Sequence, residues 1–181
     1  MAATTPNLAM RPQAGPELAV DPDLRLQHPR LVDLLAFWQG KCRDGWLPAR
    51  ADFRPDELVK HLPYLVLTEI RGDPLRMRYR LIGTAITKAM GRDRTGMDFH
   101  DLYPPKFLTP MKAGFRWLLE NRRPLRGHGR IFQPDRRLYD FEILNLPLAA
   151  DGEQVDMVLH ELILSRADKP GGSAYRPRGT D

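Results

Sequence analysis

The chain has 181 residues, 42% of them hydrophobic and 28% charged, with a formal net charge of +5; this fits one soluble globular domain of common size. No apolar run approaches the roughly 18–20 residues that span a bilayer, no charged and apolar leader opens the chain, and the single cysteine, Cys42, makes no internal disulfide, so no membrane partner and a cytoplasmic location are expected. The arginines are spread among 23 acids, with no long block of like charge, which argues against nucleic acid as a partner.

Residues 1–28 carry Pro6, Pro12, Pro16 and Pro22 with little apolar periodicity, and read as a flexible tail. "HPRLVDLLAFWQGKC" opens with Pro29, suited to a first helical turn. Leu31, Leu34, Leu35 and Trp38 follow on one helical face. Val32, Phe37 and Cys42 lie off that stripe, so the helix is apolar on more than one side. It either packs on its own core or also pairs with a second copy of the chain, and we take the stripe as the homodimer contact. Pro55 begins a short helix with Asp56 and Glu57 in its first turn, and Pro63 stops it. "YLVLTEI", Tyr64 to Ile70, is an apolar strand; "RGDP" is a turn; "LRMRYRLI" is the partner strand. Arg76, Arg78 and Arg80 share one face and Leu75, Met77, Tyr79 and Leu81 the other. The arginines therefore read as a water-facing row.

Gly83 allows a sharp turn. Thr84 is placed to cap a helix whose apolar face is Ala85, Ile86, Ala89 and Met90, and Gly91 is placed to end it. After the connection "RDRTGMDFHDLYP", a longer helix carries Phe107, Met111, Phe115 and Leu118/Leu119 in one stripe. The last third reads as three strands, "PLRGHGRIFQ", "LYDFEILNLPLA" and "VDMVLHELILS", joined by turns at "PDRR" and at Ala150-Asp151-Gly152. Residues 166–181 are Gly/Pro-rich and read as a second flexible tail. Strands in adjacent pairs joined by tight turns make an antiparallel sheet, and the order of strands and helices gives an α+β class with helices gathered on one face.

The sequence offers no catalytic constellation. Ser165 and Ser173 are the only serines, and neither lies in a Gly-x-Ser-x-Gly turn. Cys42 has no nearby histidine to activate it. His28, His61, His100, His128 and His160 sit on separate elements, and "DFHD" at 98–101 reads as a turn and cap rather than a metal site. No Gly-rich phosphate loop is present. The chain is expected to be no enzyme and to hold no metal.

The element order and the passage "YRLIGTAITKAMGRDRTG" resemble a PAS domain, in which the second strand enters a short helix through a tight turn. "LLAFWQGKCRDGWLPARADFRPDELVKHLPYLVLTEI" and "LYDFEILNLPLAADGEQVDMVLHEL" resemble a bacterial family of stand-alone PAS-like proteins. Its members pair an N-terminal helix with the fold and end in an "LPL…DG" hairpin. The resemblance covers residues 29–165. It implies a PAS fold of class α+β: a five-stranded antiparallel sheet, order 2-1-5-4-3, with helices over one face, an extra N-terminal helix, and a cavity between. The chain departs from the pattern at Gly83, where asparagine is common, and near His160, where a small residue is usual. Flavin-binding members place a reactive cysteine after the second strand, and this chain has none there, so covalent flavin is not expected. Haem-binding members use a histidine on the long helix, and residues 106–121 contain none. The cofactor is otherwise open.

Within that frame, strand alternation and helix position nominate the ligand-pocket residues. They are Met77, Tyr79 and Leu81 on the second strand, Met90 on the short helix, and Phe115 and Trp117 on the long helix. His128, Tyr139, Met157 and Glu161 come from the last three strands. His160 and Glu161 are neighbours on a strand and must point to opposite faces. The expected function is a non-enzymatic sensory protein acting by small-ligand sensing, by contact with an unidentified signalling partner, or by both, through a homodimer. The alternative is a binding protein for a small apolar molecule with no signalling output.

Overall fold

The computed structural model describes residues 17–132 and 138–166. Six strands form one antiparallel sheet: β1 (Glu17–Asp21), β2 (Leu65–Arg71), β3 (Arg76–Ile82), β4 (Leu125–Phe132), β5 (Leu138–Leu148) and β6 (Met157–Arg166). Four helices accompany them: α1 (Pro29–Lys41), α2 (Thr84–Met90), α3 (Phe99–Leu102) and α4 (Pro105–Asn121). The strand order is β1-β4-β5-β6-β2-β3. With β1 set aside, this is the expected order 2-1-5-4-3.

β1 corrects the expectation of a tail over residues 1–28. It pairs with β4 from Glu17↔Arg130 to Asp21↔Arg126. Asp21 is buried, and its carboxylate lies 3.3 Å from Arg126 Nη1. The same carboxylate accepts the backbone N–H groups of Asp23 and Arg25, which turns the chain out of the strand. Five residues between two prolines carry no period of their own, so tertiary pairing decides their state. Residues 1–16 and 167–181, with the expected "PDRR" turn, lie outside the described residues.

α1 brings a second correction. His28 caps it by accepting the Arg30 N–H on Nδ1, and Pro29 occupies its first turn. Leu31 and Leu34 are fully buried and Trp38 is 6% exposed within the single chain. Trp38 Nε1 donates to the Pro147 carbonyl at 3.1 Å. The stripe assigned to a homodimer is therefore spent on the chain's own sheet, with Leu35 half-buried beside it. The short helix expected from Pro55 is a 3-10 turn, Pro55–Leu58, with further 3-10 turns before and after it at Arg50–Asp52 and Leu62–Tyr64.

The sheet thus has two covered faces. Leu144, Leu146, Leu159 and Glu161 belong to the α1 face, and Thr68, Asn145 and His160 to the face under α2–α4. On β3 the simple alternation fails past Tyr79. Leu67 pairs with Leu81 and Thr68 with Tyr79, so Arg80 is an extra residue, a bulge that reverses the facing of the strand beyond it. Met77 and Tyr79 are buried as expected, whereas Leu81 is 38% exposed. Arg76 and Arg80 stay in water, as expected of the arginine row.

Gly83 rather than Thr84 stands at the N-cap of α2, and Gly91 closes the helix at φ 76°. The requirement at Gly83 is space. Its φ of −64° suits any residue, but a Cβ there would collide with the carbonyl oxygens of Leu62 and Pro63. That close approach accounts for glycine at this turn. Asp98 caps α3, accepting the His100 N–H at 3.0 Å and facing His100 Nδ1 at 2.8 Å, so "DFHD" is a cap.

Candidate ligand-binding site

A cavity of about 260 Å³ lies between the sheet and α2–α4. Its walls are chiefly apolar: Val66, Ile86, Met90, Phe107, Met111, Phe115, Leu118 and Ile143 among others. It reaches from Tyr79 on β3 to Leu18 and Val20 on β1. Val20 is 53% exposed, so the β1 end is open to solvent.

The floor carries one polar chain that crosses four strands. The Thr68 hydroxyl lies 2.9 Å from His160 Nε2, and His160 Nδ1 lies 2.7 Å from Asn145 Oδ1. The Asn145 amide N–H donates to the Leu125 carbonyl at 2.8 Å. That last bond fixes the amide, so its oxygen must accept from Nδ1–H. His160 Nε2 is then the acceptor and Thr68 the donor. Burial holds the His160 imidazole neutral, with its pKa down at about 3. The Phe115 ring stands edge-on to the imidazole at 5.7 Å.

A second polar group lies against β3. The Tyr79 and Tyr103 hydroxyls are 2.7 Å apart. Burial raises both phenol pKa values, and the Arg94 guanidinium draws Tyr103 back down. Arg94, from the α2–α3 connection, borders the cavity, and its Nε is buried without an acceptor.

Of the ten nominated residues, Tyr79, Met90 and Phe115 border the cavity. Met77 is fully buried without touching it, and Leu81 is turned outward by the bulge. Trp117 is half-buried on α4 and not in the lining. Tyr139 lies outside the lining, and His128 pairs across with Glu142 on the α1 face. Met157 shares the α1 face with Leu159 and Glu161. His160 is the cavity residue of its pair. Glu161 is its opposite, 0% exposed, with Oε2 at 2.9 Å from His61 Nδ1 and Oε1 at 3.8 Å from Arg30 Nε. Burial pushes the Glu161 carboxyl up to about 8 and pulls His61 down, so burial favours the neutral form of both partners. Period-two alternation separates His160 from Glu161 but does not say which face holds the cavity. The missed signal was Thr68 and Asn145, polar residues on strands that flank β6, beside His160. Arg94 sits in a connection without periodicity and left no signal.

Cys42 lies at the C-terminal end of α1, where burial raises its thiol pKa. Among the described residues, no three His, Cys, Asp or Glu side chains converge on a metal position. Among them also, no helix is long and apolar enough to cross a membrane.

A family model described as "PAS domain" matches residues 26–163. No curated protein matches the sequence. Similar solved structures include two light-oxygen-voltage proteins. One is described as an RNA-binding light-oxygen-voltage receptor, at 10% identity and a TM-score of 0.44, with 84% of this chain and 40% of that one covered. The other is a variant of RsLOV, at 14% identity and a TM-score of 0.45, with 65% of this chain and 70% of that one covered. This chain therefore spans well under half of the first of these proteins.

Proposed function

This chain belongs to the PAS domain family, and we propose that it is a non-enzymatic sensory module whose cavity takes up a small molecule and whose output is contact with another protein. The cavity carries the reading. It is apolar with a few fixed polar groups, the usual character of a small-molecule site.

β6 supplies a physical route from occupancy to output. His160 faces the cavity and the next residue, Glu161, faces α1. Glu161 holds His61, and Arg30 of α1 lies against it. An occupant that shifts His160 also shifts the carboxyl on which the start of α1 rests. Occupancy then biases α1 between two positions, to the extent that the occupant prefers one of them. This coupling favours sensing over a carrier without output. A homodimer would use the outward side of α1, where Val32 is 49% exposed, because Leu31, Leu34 and Trp38 are committed to the core.

Native mass spectrometry of the full chain purified from cells tests uptake and assembly together. A discrete added mass, followed by a change in amide exchange of α1 when that mass is removed, is the expected result. Unchanged exchange in α1 would leave a carrier. Absence of any retained or added small molecule would sink the reading.

A further inference from the structure

The occupant can be narrowed by asking which hydrogen-bonding groups in the cavity are already used. The floor chain is closed: Thr68, His160 and Asn145 spend their facing donors and acceptors on one another and on the Leu125 carbonyl. The β3 end is not closed. Two phenolic O–H groups share one hydrogen bond between Tyr79 and Tyr103, which leaves one phenolic proton over. Arg94 Nε beside them is buried with no acceptor. Among the described residues that line the cavity there is no Asp or Glu, and Arg94 is the one permanently charged group. The unspent donors, Arg94 Nε and one phenolic O–H, are therefore gathered at one end beside a fixed positive charge. From there, beyond the self-satisfied floor chain, the lining is apolar as far as Val20.

From this we infer that the cavity takes an amphipathic monoanion, a carboxylate on an apolar tail. The carboxylate sits on Arg94 and the Tyr79–Tyr103 pair, and the tail points toward β1. The inference rests on the sensory reading above and adds the chemical class of the signal. A cation would meet Arg94 with no counter-charge. A wholly apolar molecule would leave the buried donors unmade. A polyanion would find a single guanidinium. A carboxylate supplies two acceptor oxygens that suit the planar guanidinium and the spare phenol.

The test is calorimetric titration of the full chain at neutral pH with matched probes: octanoate against octanol, and phenylpropanoate against phenylpropanol. Each acid is expected to bind roughly tenfold or more tighter than its alcohol, as charge-assisted hydrogen bonds require. R94Q is expected to remove that advantage, bringing each acid-to-alcohol ratio down toward one. Alcohols binding as tightly as acids to the parent chain would overturn the inference and leave the sensory reading standing. Binding of neither probe class would overturn both. The acid-to-alcohol ratio of the parent chain decides the matter even if R94Q does not fold.

Discussion

The two faces of the sheet are made by alternate residues of the same strands, and they are built to opposite ends. The α1 face is filled: Leu31, Leu34, Leu144 and Leu146 are all fully buried. Its charges are matched at close range, with Arg126 Nε donating to Glu142 Oε1 at 2.6 Å. Glu142 also accepts the N–H groups of Gln27 and His28, which tie the start of α1 to β5. The face under α2–α4 keeps a cavity, and Ile131, Phe141, Ile143, Leu162 and Leu164 around it are only partly covered. One side holds the fold and the other leaves room. The stability that makes an open cavity tolerable comes from residues one position away.

The largest expected effect is on packing. Leu34→Ala removes a fully buried side chain from the filled face and should cost about 3–5 kcal/mol, read as a lower urea midpoint at unchanged slope. Ile143→Ala removes atoms that already border a void and should cost less than about 1.5 kcal/mol. Equal losses at the two sites would abolish the contrast.

The pH response comes next, and His160 and Glu161, on opposite faces, should differ in sign. His160 keeps its proton off until about pH 3, whereas an unfolded histidine takes one up near 6.5. The stability it contributes is present above 6.5 and is lost as pH falls from there toward 3. Glu161 keeps its proton on until about pH 8, whereas an unfolded glutamate releases it near 4.5. That contribution is full below 4.5 and is lost as pH rises toward 8. Thermal melts across pH should show H160Q flattening the acid side and E161Q flattening the alkaline side, each as a difference from the parent. An alkaline limb unchanged in E161Q would contradict a neutral Glu161–His61 pair.

The smallest effect is expected at the surface. Lys60 Nζ and Asp33 Oδ2 are 2.8 Å apart, with side chains 65% and 56% exposed. Lys60→Ala should change stability by no more than about 0.5 kcal/mol. A larger loss would mean that surface charge, rather than the Leu31, Leu34 and Trp38 packing, holds α1 down.

What could be read from the sequence was whatever had a period. The helices over Pro29–Lys41 and Pro105–Asn121, the two strand groups and their antiparallel order all come from apolar spacing and turn residues. Periodicity gives a side chain's direction relative to its neighbours and stops there. It set His160 against Glu161 without saying which looked into the cavity, and it marked the α1 stripe as apolar without saying whose surface it met. Leu81 was misassigned because one inserted residue, Arg80, reverses alternation without changing composition. β1 and Arg94 depend on distant partners, β4 and Tyr103, that no local pattern names.

The sheet order also bears on how the molecule comes to be made. β6 sits between β5 and β2, yet among the described elements it comes last in the chain, and Leu65 must wait for Glu161 to be synthesised before they can pair. Until then the β2–β3 hairpin and the β4–β5 hairpin are separate ribbons with their inner edges uncovered. Closure over so long a separation slows folding and lengthens exposure to other chains. On the ribosome, the cavity and the seat of α1 come into existence in the same late step, when the central strand arrives.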